Sequence, residues 1–334
     1  MPDLQIEATR GELVESVHKV SVAVVESGGK LLAESGDPDL VTYWRSAAKP
    51  FQAIPLVMDG AADRFGFTER ELALCCASHS SEPEHLQVTD SILAKLGLGE
   101  DALACGPHTP LSPAVAEDTI RRGIRPTPRW SNCSGKHSAM LALALHHGWP
   151  IAGYHLLEHP VQQRILAELV RWTGTSVEDV FCSVDGCNTV CFGLALRGMA
   201  QAYARFGVTE EPAPKRLREA MTRHPEMVGG TGRPCTDLMA SLRGGLVAKI
   251  GAEGVYSAAL PGHGIGIALK GEDGDMRTAP LALVSVLDRV LSYLGDRKAL
   301  KSLRASHHHA QVPIRNTRGI VTGALSASGD LRFL

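Results

Sequence analysis

The apolar positions at both ends of the chain follow the patterns of β-strands. Residues 17–26 (VHKVSVAVVE) are rich in valine and lead through a Ser-Gly-Gly-Lys turn to a second apolar stretch at residues 31–33, which predicts a β-hairpin. Residues 245–269 and 312–334 also combine β-branched side chains with glycines, and a pattern of helical period lies between them at 279–294. Strands at both ends favour a single sheet built from the two terminal segments.

The middle of the chain has the apolar spacing of helices. Small and apolar residues predict a helix between residues 45 and 60, with Pro50 near its first turn and Pro55 as a kink or a break. The other helical patterns lie at residues 68–77, 82–98, 138–147, 159–172 and 190–206. The helical segments are therefore expected to form a group of their own.

Together these patterns predict an α/β fold of the α+β type, with flanking helices around the sheet and an inserted helical lobe. We expect a single compact domain of residues 1–334 with two lobes. The sheet lobe covers about 1–45 and 240–334, and the mostly helical lobe covers about 46–239.

Composition and charge exclude several classes of function. The 334 residues are 44% hydrophobic and 21% charged, which is typical of a globular chain. The formal net charge is −2 and no block of like charges occurs, so a nucleic-acid partner is not expected. The N-terminus lacks the pattern of a signal peptide and no stretch has the length of a membrane span, so we expect a cytoplasmic location with no membrane partner. In that compartment the eight cysteines are expected to be reduced thiols.

The tetrapeptide Ser46-Ala47-Ala48-Lys49 at the start of a predicted helix is a candidate for nucleophilic catalysis. Residues three apart share a helix face, so the lysine amine could take the proton of the serine hydroxyl. A lysine acts as a base at neutral pH only if burial or a nearby cation lowers its pKa. A helix start with an exposed lysine is the simpler reading of the same four residues.

Two later segments strengthen the catalytic interpretation. The polar loop Ser78-His79-Ser80-Ser81 and the strand end Lys249-Ile250-Gly251 follow in the order used by serine acyl-transfer enzymes of the penicillin-binding type. There the late lysine faces the serine pair, and the glycine allows the backbone to approach the substrate. A surface lysine at a strand end is the alternative for Lys249.

Two further groups of residues have the chemistry of metal ligands. Cys133, Lys136 and His137 lie in the segment NCSGKH, and Asp185 and Cys187 lie in DGCN about fifty residues later. The thiols indicate either a soft metal site or a polar substrate pocket, although the spacing is not that of a zinc finger.

The triplet His307-His308-His309 could also bind a metal ion, but a solvated surface run is the favoured interpretation. The segment GHGIG at residues 262–266 lacks the third glycine of a dinucleotide fingerprint and lies within strand-like sequence, so a nucleotide site is rejected.

Seven ordered segments between Val14 and Gly319 resemble the asparaginase II family, the rhizobial-type or class 3 L-asparaginases. These segments are VESVHKVSVAVV, RSAAKPFQA, CASHSSEPEH, WSNCSGKHSAML, DGCNTVCFGLAL, HPEMVGGTGR and PIRNTRG. The resemblance implies a fold related to serine β-lactamases, penicillin-binding proteins and serine-dependent glutaminases, with an antiparallel sheet. It also implies hydrolysis of the side-chain amide of L-asparagine to L-aspartate and ammonia, with no organic cofactor and with a homodimer as the expected assembly.

The resemblance also implies roles for particular residues. The two Ser-Lys tandems of the family fall on Ser46 with Lys49 and on Ser78 with Lys249, and Lys270 is the alternative to Lys249. The zinc site of the family, near the catalytic serines, falls on Cys133, Lys136 and Cys187. Substrate binding is expected from Arg45, His137, Asp185 and Gly251.

Three alternatives stay open at the level of the sequence. A glutaminase would use the same residues on a substrate that is one methylene longer, and such a difference gives weak discrimination. A β-lactamase or peptidase would be labelled at Ser46 by a β-lactam. A non-catalytic zinc or thiol protein would need only Cys133, Cys187 and their neighbours.

Overall fold

The computed structural model describes residues 2–334. The chain divides into two compact units. The sheet unit comprises Met1–Ala47, Leu194–Val208 and Asp237–Leu334. The helical unit comprises Ala48–Gly193 and Thr209–Thr236.

The sheet unit contains an antiparallel sheet of nine strands. Its strands are β1 (Gln5–Arg10), β2 (Leu13–Glu26), β3 (Leu31–Ser35), β7 (Val247–Ile250), β8 (Val255–Leu260), β9 (Ile265–Gly271), β10 (Gln311–Arg315), β11 (Val321–Ser328) and β12 (Arg332–Phe333). The main order is β10-β11-β1-β2-β9-β8-β7, and β3 pairs with both β2 and β12. The N-terminal strands β1 and β2 therefore lie between two groups of C-terminal strands in one sheet, which confirms the predicted fold class.

The long strand β2 shows why the terminal segments form this sheet. Its first half pairs with β1, from Lys19 back to Leu13, and its second half pairs with β9, from Val20 to Glu26. The run from Val20 to Val25 is buried throughout, and helices pack on β2 and on the strands beside it. A strand that is buried on both faces is expected to be continuously apolar.

Two long helices cover this sheet. Helix α8 (Leu196–Val208) packs on β2, β8 and β9, and helix α12 (Thr278–Tyr293) packs on β1, β8, β9 and β11. Helix α13 (Arg297–Leu303) and the 3-10 helix Arg304–His309 follow α12 and lead into β10. The short strand β4 (Val41–Tyr43) and the 3-10 helix Arg45–Ala48 end the N-terminal part of the unit.

The helices of the helical unit are α1 (Lys49–Met58), α2 (Ala61–Arg64), α3 (Glu69–Cys75), α4 (Pro83–Leu96), α5 (Pro113–Arg121), α6 (Ser134–His147), α7 (Pro160–Thr173), α9 (Pro212–Arg223) and α10 (Pro225–Val228). Helices α1, α3, α4, α6 and α7 lie in segments predicted to be helical, whereas α2, α5, α9 and α10 were not predicted. Helix α11 (Pro234–Leu242) crosses the boundary between the units. Pro50 lies in the first turn of α1 as predicted, and α1 continues through Pro55 without ending.

One predicted helix is wrong in its first part. Residues 190–206 were expected to be helical, but Val190–Ala195 form strand β6, which pairs with β5 (Phe181–Val184). The residues VCFGLA carry the β-branched and aromatic side chains that favour a strand, and pairing with β5 satisfies their backbone groups. Within residues 2–334, no helix combines the length and the apolar character needed to cross a membrane.

Candidate active site

A buried lysine and a buried serine are in contact in the helical unit. Lys49 begins α1 and its side chain is fully buried. Its Nζ lies 3.0 Å from Ser78 Oγ, also donates to the carbonyl oxygen of Ala77, and lies 3.4 Å from that of Asn132. In the neutral state, two N–H bonds can reach the two carbonyls while the lone pair faces the Ser78 hydroxyl, so the geometry allows proton transfer between Lys49 and Ser78.

The loop that carries Ser78 is fixed by buried hydrogen bonds. The backbone N–H of Ser78 donates to Val228 O at 2.9 Å, and Ser80 Oγ donates to Gly229 O at 2.8 Å. The ring of His79 accepts from Ser81 N at Nδ1 and lies 2.9 Å from Ser134 Oγ at Nε2. Because the loop is tied to residues of two other segments, its serine hydroxyls have defined positions.

His79 is a neutral side chain in this network. Burial lowers its pKa well below the ordinary value, and the neighbouring His85, Lys49 and His108 lower it further. Since Nδ1 accepts a hydrogen bond from Ser81 N, the proton of the neutral ring lies on Nε2 and is donated to Ser134 Oγ. His79 therefore supports the Ser78 loop without adding a charge to it.

The second cluster joins two thiols and an amine. Lys136 Nζ lies 3.0 Å from Cys187 Sγ, and Cys187 shares a hydrogen bond with Cys133. That hydrogen bond lowers the pKa of Cys133 well below its ordinary value, against the effect of burial, and Cys133 Sγ also lies 2.9 Å from Asn132 Oδ1. Burial opposes the charge on Lys136, but the nearby Cys187, Cys133 and Asp185 raise its pKa above the ordinary value.

The residues of this cluster fit a soft divalent cation. Cys133 and Cys187 supply two sulfurs, and Lys136 supplies an amine that becomes a ligand once it loses its proton. Cys133 and Lys136 are buried on the first turn of α6, and Cys187 lies in the tight turn 185–188. Two sulfur ligands favour zinc over hard cations such as Mg²⁺ or Ca²⁺.

Two predicted substrate-binding residues lie beside the cluster. Asp185 begins the tight turn that holds Cys187, and its backbone N–H donates to Thr189 O at 2.7 Å. His137 is buried, and its Nδ1 lies 2.6 Å from the hydroxyl of Tyr154. That hydroxyl also accepts from Ala104 N at 2.8 Å. His137 Nε2 is buried, and the His137 ring lies beside the backbone of Cys187.

The remaining predicted residues lie in the sheet unit. Ser46 lies in the 3-10 helix Arg45–Ala48 and is partly exposed. Arg45 has a φ of 52°, which costs free energy for a non-glycine residue and is often found at functional sites. Neighbouring bonds fix the segment, because Trp44 Nε1 donates to Ser257 Oγ at 3.0 Å and the Tyr203 hydroxyl donates to Ala47 O at 2.8 Å.

The two candidate second lysines have different surroundings. Lys249 is fully buried and its Nζ donates to Ile250 O at 2.8 Å. Lys270 Nζ donates to the carbonyl oxygens of Glu253, Gly271 and Glu272 at 2.6, 2.5 and 3.5 Å. All three protons of the Lys270 ammonium are thus given to backbone carbonyls, in the β7–β8 turn and at the end of β9, which favours a structural role for Lys270.

Gly251 has a packing role that the sequence did not show. A Cβ atom at this position would lie 2.9 Å from Trp44 O and 3.2 Å from Val255 Cβ. The missing side chain therefore lets the end of β7 lie against the backbone just before Arg45. Its N–H donates to Val255 O at 2.8 Å.

Several residues of the site could not be identified from the sequence alone. Asn132 contributes its backbone oxygen to Lys49, and Tyr154 orients His137. Thr89 lies 3.1 Å from Ser134 and extends the His79 network. Backbone oxygens carry no signal in a single sequence, and Tyr154 lies outside the segments that drew attention.

A buried lysine beside a serine hydroxyl is a pair that serine acyl-transfer enzymes use. The comparison with protein families identifies the family of this chain. Residues 6–327 match the family of L-asparaginase II, and the chain belongs to that family of asparaginase-type amidohydrolases. The resemblance seen in the sequence is confirmed. No curated protein matches the chain.

Two solved structures are similar to the chain at low identity. A protein from Bacteroides dorei DSM 17855 assigned as a β-lactamase matches with 14% identity and a TM-score of 0.41, over 83% of this chain and 93% of that protein. A structure of Mglu in its tris and glutamate form matches with 16% identity and a TM-score of 0.33, over 86% of this chain and 58% of that protein.

Proposed function

We propose that the protein is an L-asparaginase, which hydrolyses the side-chain amide of L-asparagine to L-aspartate and ammonia. The observation that carries this proposal is the 3.0 Å contact between Lys49 Nζ and Ser78 Oγ, in a chain of the L-asparaginase II family. A buried amine beside a hydroxyl is the arrangement needed to move the proton of a serine nucleophile.

Ser46 is the proposed nucleophile. Its Oγ attacks the amide carbon of asparagine while Lys49, three residues later in the chain, takes the hydroxyl proton. The difference in burial supports this assignment, because Ser46 is partly exposed whereas Ser78 has only 5% of its surface exposed. A nucleophile must be reached by the substrate, but a relay residue needs only its proton partners.

Ser78 and Lys249 are the proposed proton relay. The proton taken by Lys49 passes through Ser78 to the amide nitrogen, the C–N bond breaks, and ammonia leaves a β-aspartyl ester on Ser46. Water then hydrolyses the ester to L-aspartate and restores the serine. The backbone N–H of Ser46 is the proposed oxyanion donor, whereas that of Gly251 is used by Val255 O.

Cys133, Lys136 and Cys187 would hold the zinc ion expected from the family. When bound, zinc would place the polar end of the substrate or stabilise the turn that carries Cys187. His137 Nε2 is buried beside this cluster, and Asp185 supplies a carboxylate for the substrate ammonium group. Arg45 is the proposed contact for the substrate carboxylate.

The test is the release of ammonia from L-asparagine and L-glutamine by the full chain, with Ser46→Ala and Ser78→Ala variants. We expect faster release from asparagine and a loss of kcat of at least about a hundredfold in Ser46→Ala, because the nucleophile is missing. Ser292→Ala, at an exposed position of α12, is the control and is expected to keep kcat within about threefold.

Each other result changes the proposal in a defined way. Faster release from glutamine would make the enzyme a glutaminase. Full activity in Ser46→Ala with loss in Ser78→Ala would make Ser78 the nucleophile. No ammonia from either amide would overturn the function and favour a non-catalytic zinc or thiol protein. The cytoplasmic location and the homodimer remain predictions.

A further inference from the structure

A second group of metal-ligand side chains lies in the sheet unit, apart in sequence from the thiol cluster. Asp237 lies on the first turn of α11, and His308 and His309 end the 3-10 helix Arg304–His309. The ligand atoms of these three side chains all lie within 4.8 Å of one another. Among residues 2–334, no other group of three or more His, Cys, Asp or Glu side chains meets this criterion.

The two imidazoles converge on a single carboxylate oxygen. Asp237 Oδ2 lies 3.1 Å from His308 Nε2 and 2.8 Å from His309 Nε2. The two rings lie side by side, with centroids 4.0 Å apart and an angle of 45° between their planes. Atoms that each bind one zinc ion at about 2.0–2.2 Å are separated from one another by distances similar to these Asp237–histidine distances.

The backbone that carries the two histidines is fixed to α11. The buried hydroxyl of Ser306 donates to Asp237 O at 3.2 Å and lies 3.1 Å from Ser241 Oγ. Leu303, just before this segment, is also buried. The carboxylate and the imidazoles therefore belong to two elements that are already joined, so that bringing the three ligands together costs little conformational entropy.

We propose that Asp237, His308 and His309 form a binding site for a divalent transition-metal cation such as Zn²⁺. Neutral imidazoles and a carboxylate suit Zn²⁺, Ni²⁺ and Cu²⁺, and the three ligands leave coordination positions for water because His308 is exposed. Binding needs the lone pair of each Nε2, so each imidazole proton moves to Nδ1 through the solvent. No proton is lost from the two rings.

The charge around the site agrees with this chemistry. Burial lowers the pKa of His309, and His308 lowers it further while Asp237 opposes the shift, so His309 stays neutral at lower pH than an exposed imidazole. A bound cation would link α11 to the segment that leads into β10. The site would thus add a cross-link between distant parts of the chain and raise the temperature of unfolding.

The sequence provides a matched control within the same triplet. His307 precedes the two ligands, is exposed, and lies outside the cluster. A flexible surface run of histidines would bind a cation through any of its members. The proposed site instead depends on His308, His309 and Asp237 and does not depend on His307.

The experiment titrates the metal-free full chain with Zn²⁺ by calorimetry. The number of tight equivalents is expected to fall by one in the double variant His308→Ala/His309→Ala, and Asp237→Asn is expected to weaken that equivalent at least tenfold. His307→Ala is expected to change its affinity by less than twofold. In Cys133→Ser/Cys187→Ser, the equivalent at Asp237 is expected to remain.

A Co²⁺ spectrum gives a second readout that does not depend on activity. Cobalt at the histidine site should show no thiolate charge-transfer band, and its weak visible bands should vanish in the His308→Ala/His309→Ala variant. The proposal is overturned if the double variant binds as many equivalents as the parent chain. It is also overturned if His307→Ala weakens binding as much as His308→Ala does, or if loss of the two cysteines removes all zinc binding.

Discussion

Two buried lysines in the sheet unit have the same chemistry and different hydrogen-bond partners. Lys270 gives its protons to three carbonyl oxygens in the β7–β8 turn and at the end of β9, whereas Lys249 lies at the end of β7 and donates to Ile250 O. We therefore predict that Lys249→Met lowers kcat for amide hydrolysis at least about a hundredfold, because a group that moves protons is lost. Lys270→Met is predicted to keep kcat within about threefold.

For Lys270→Met we predict a loss of stability rather than a loss of activity. Three backbone acceptors lose their donor, so its free energy of unfolding should fall by about 1–3 kcal/mol. Steady-state kinetics and denaturant unfolding of both variants separate the two effects. A large loss of kcat in folded Lys270→Met, with normal kcat in Lys249→Met, would assign the second tandem to Lys270 instead.

At the scale of the elements, one glycine decides how closely α8 packs on the sheet. A Cβ atom at Gly266 in β9 would lie 1.9 Å from Ala200 O and 2.4 Å from Ala204 N, both on α8. Backbone atoms of a helix cannot rotate away as a side chain can, so the helix would have to shift as a whole. We predict that Gly266→Ala lowers the free energy of unfolding by about 3 kcal/mol, measured by equilibrium denaturation.

Gly262→Ala is the matched control for this packing effect. Nothing lies within 4 Å of a Cβ atom at Gly262, and its backbone does not have a left-handed φ. The substitution should change stability by less than about 0.5 kcal/mol. Equal losses of unfolding free energy in the two variants would show that the close approach of α8 to β9 does not make Gly266→Ala more destabilising than Gly262→Ala.

An element can be predicted from the sequence only where its signal is local. The hairpin of β2 and β3 was predicted, because alternation and a glycine turn are local signals. The strand Val190–Ala195 was mistaken for the start of a helix, because a short apolar run fits both periods. In the segment 262–266, the reason for Gly266 is a contact with α8, which no local pattern contains.

At the scale of the whole molecule, the sequence predicts which residue types form the site better than it predicts their partners. The order of the serine, lysine and cysteine segments indicated the family that the comparison confirms. The contact of Lys49 with Ser78 and that of Lys136 with Cys187 join segments distant in the chain, so they required the structure. The pairing of Ser46 with Lys49 remains a prediction.

Buried neutral histidines should make the stability of the whole molecule depend on pH. His79 and His85 are stacked with ring centroids 5.1 Å apart, and burial lowers the pKa of both. Their pKa in the unfolded chain is about 6.5, so below that pH the unfolded state binds protons that the folded state refuses. The free energy of unfolding should therefore fall as the pH drops from about 6.5 toward the lower pKa values of the folded state.

The variant His79→Gln tests this dependence. Removing one such histidine should reduce the slope of the unfolding free energy against pH, measured by denaturant unfolding between about pH 7.5 and 5.5, by up to about 1.4 kcal/mol per pH unit. Thr89→Val is the matched control, because it removes the hydroxyl bonded to Ser134 and keeps both rings. It should lower stability by a similar amount at every pH. If His79→Gln shows the parent slope, then His79 takes up a proton in the folded protein as readily as in the unfolded chain.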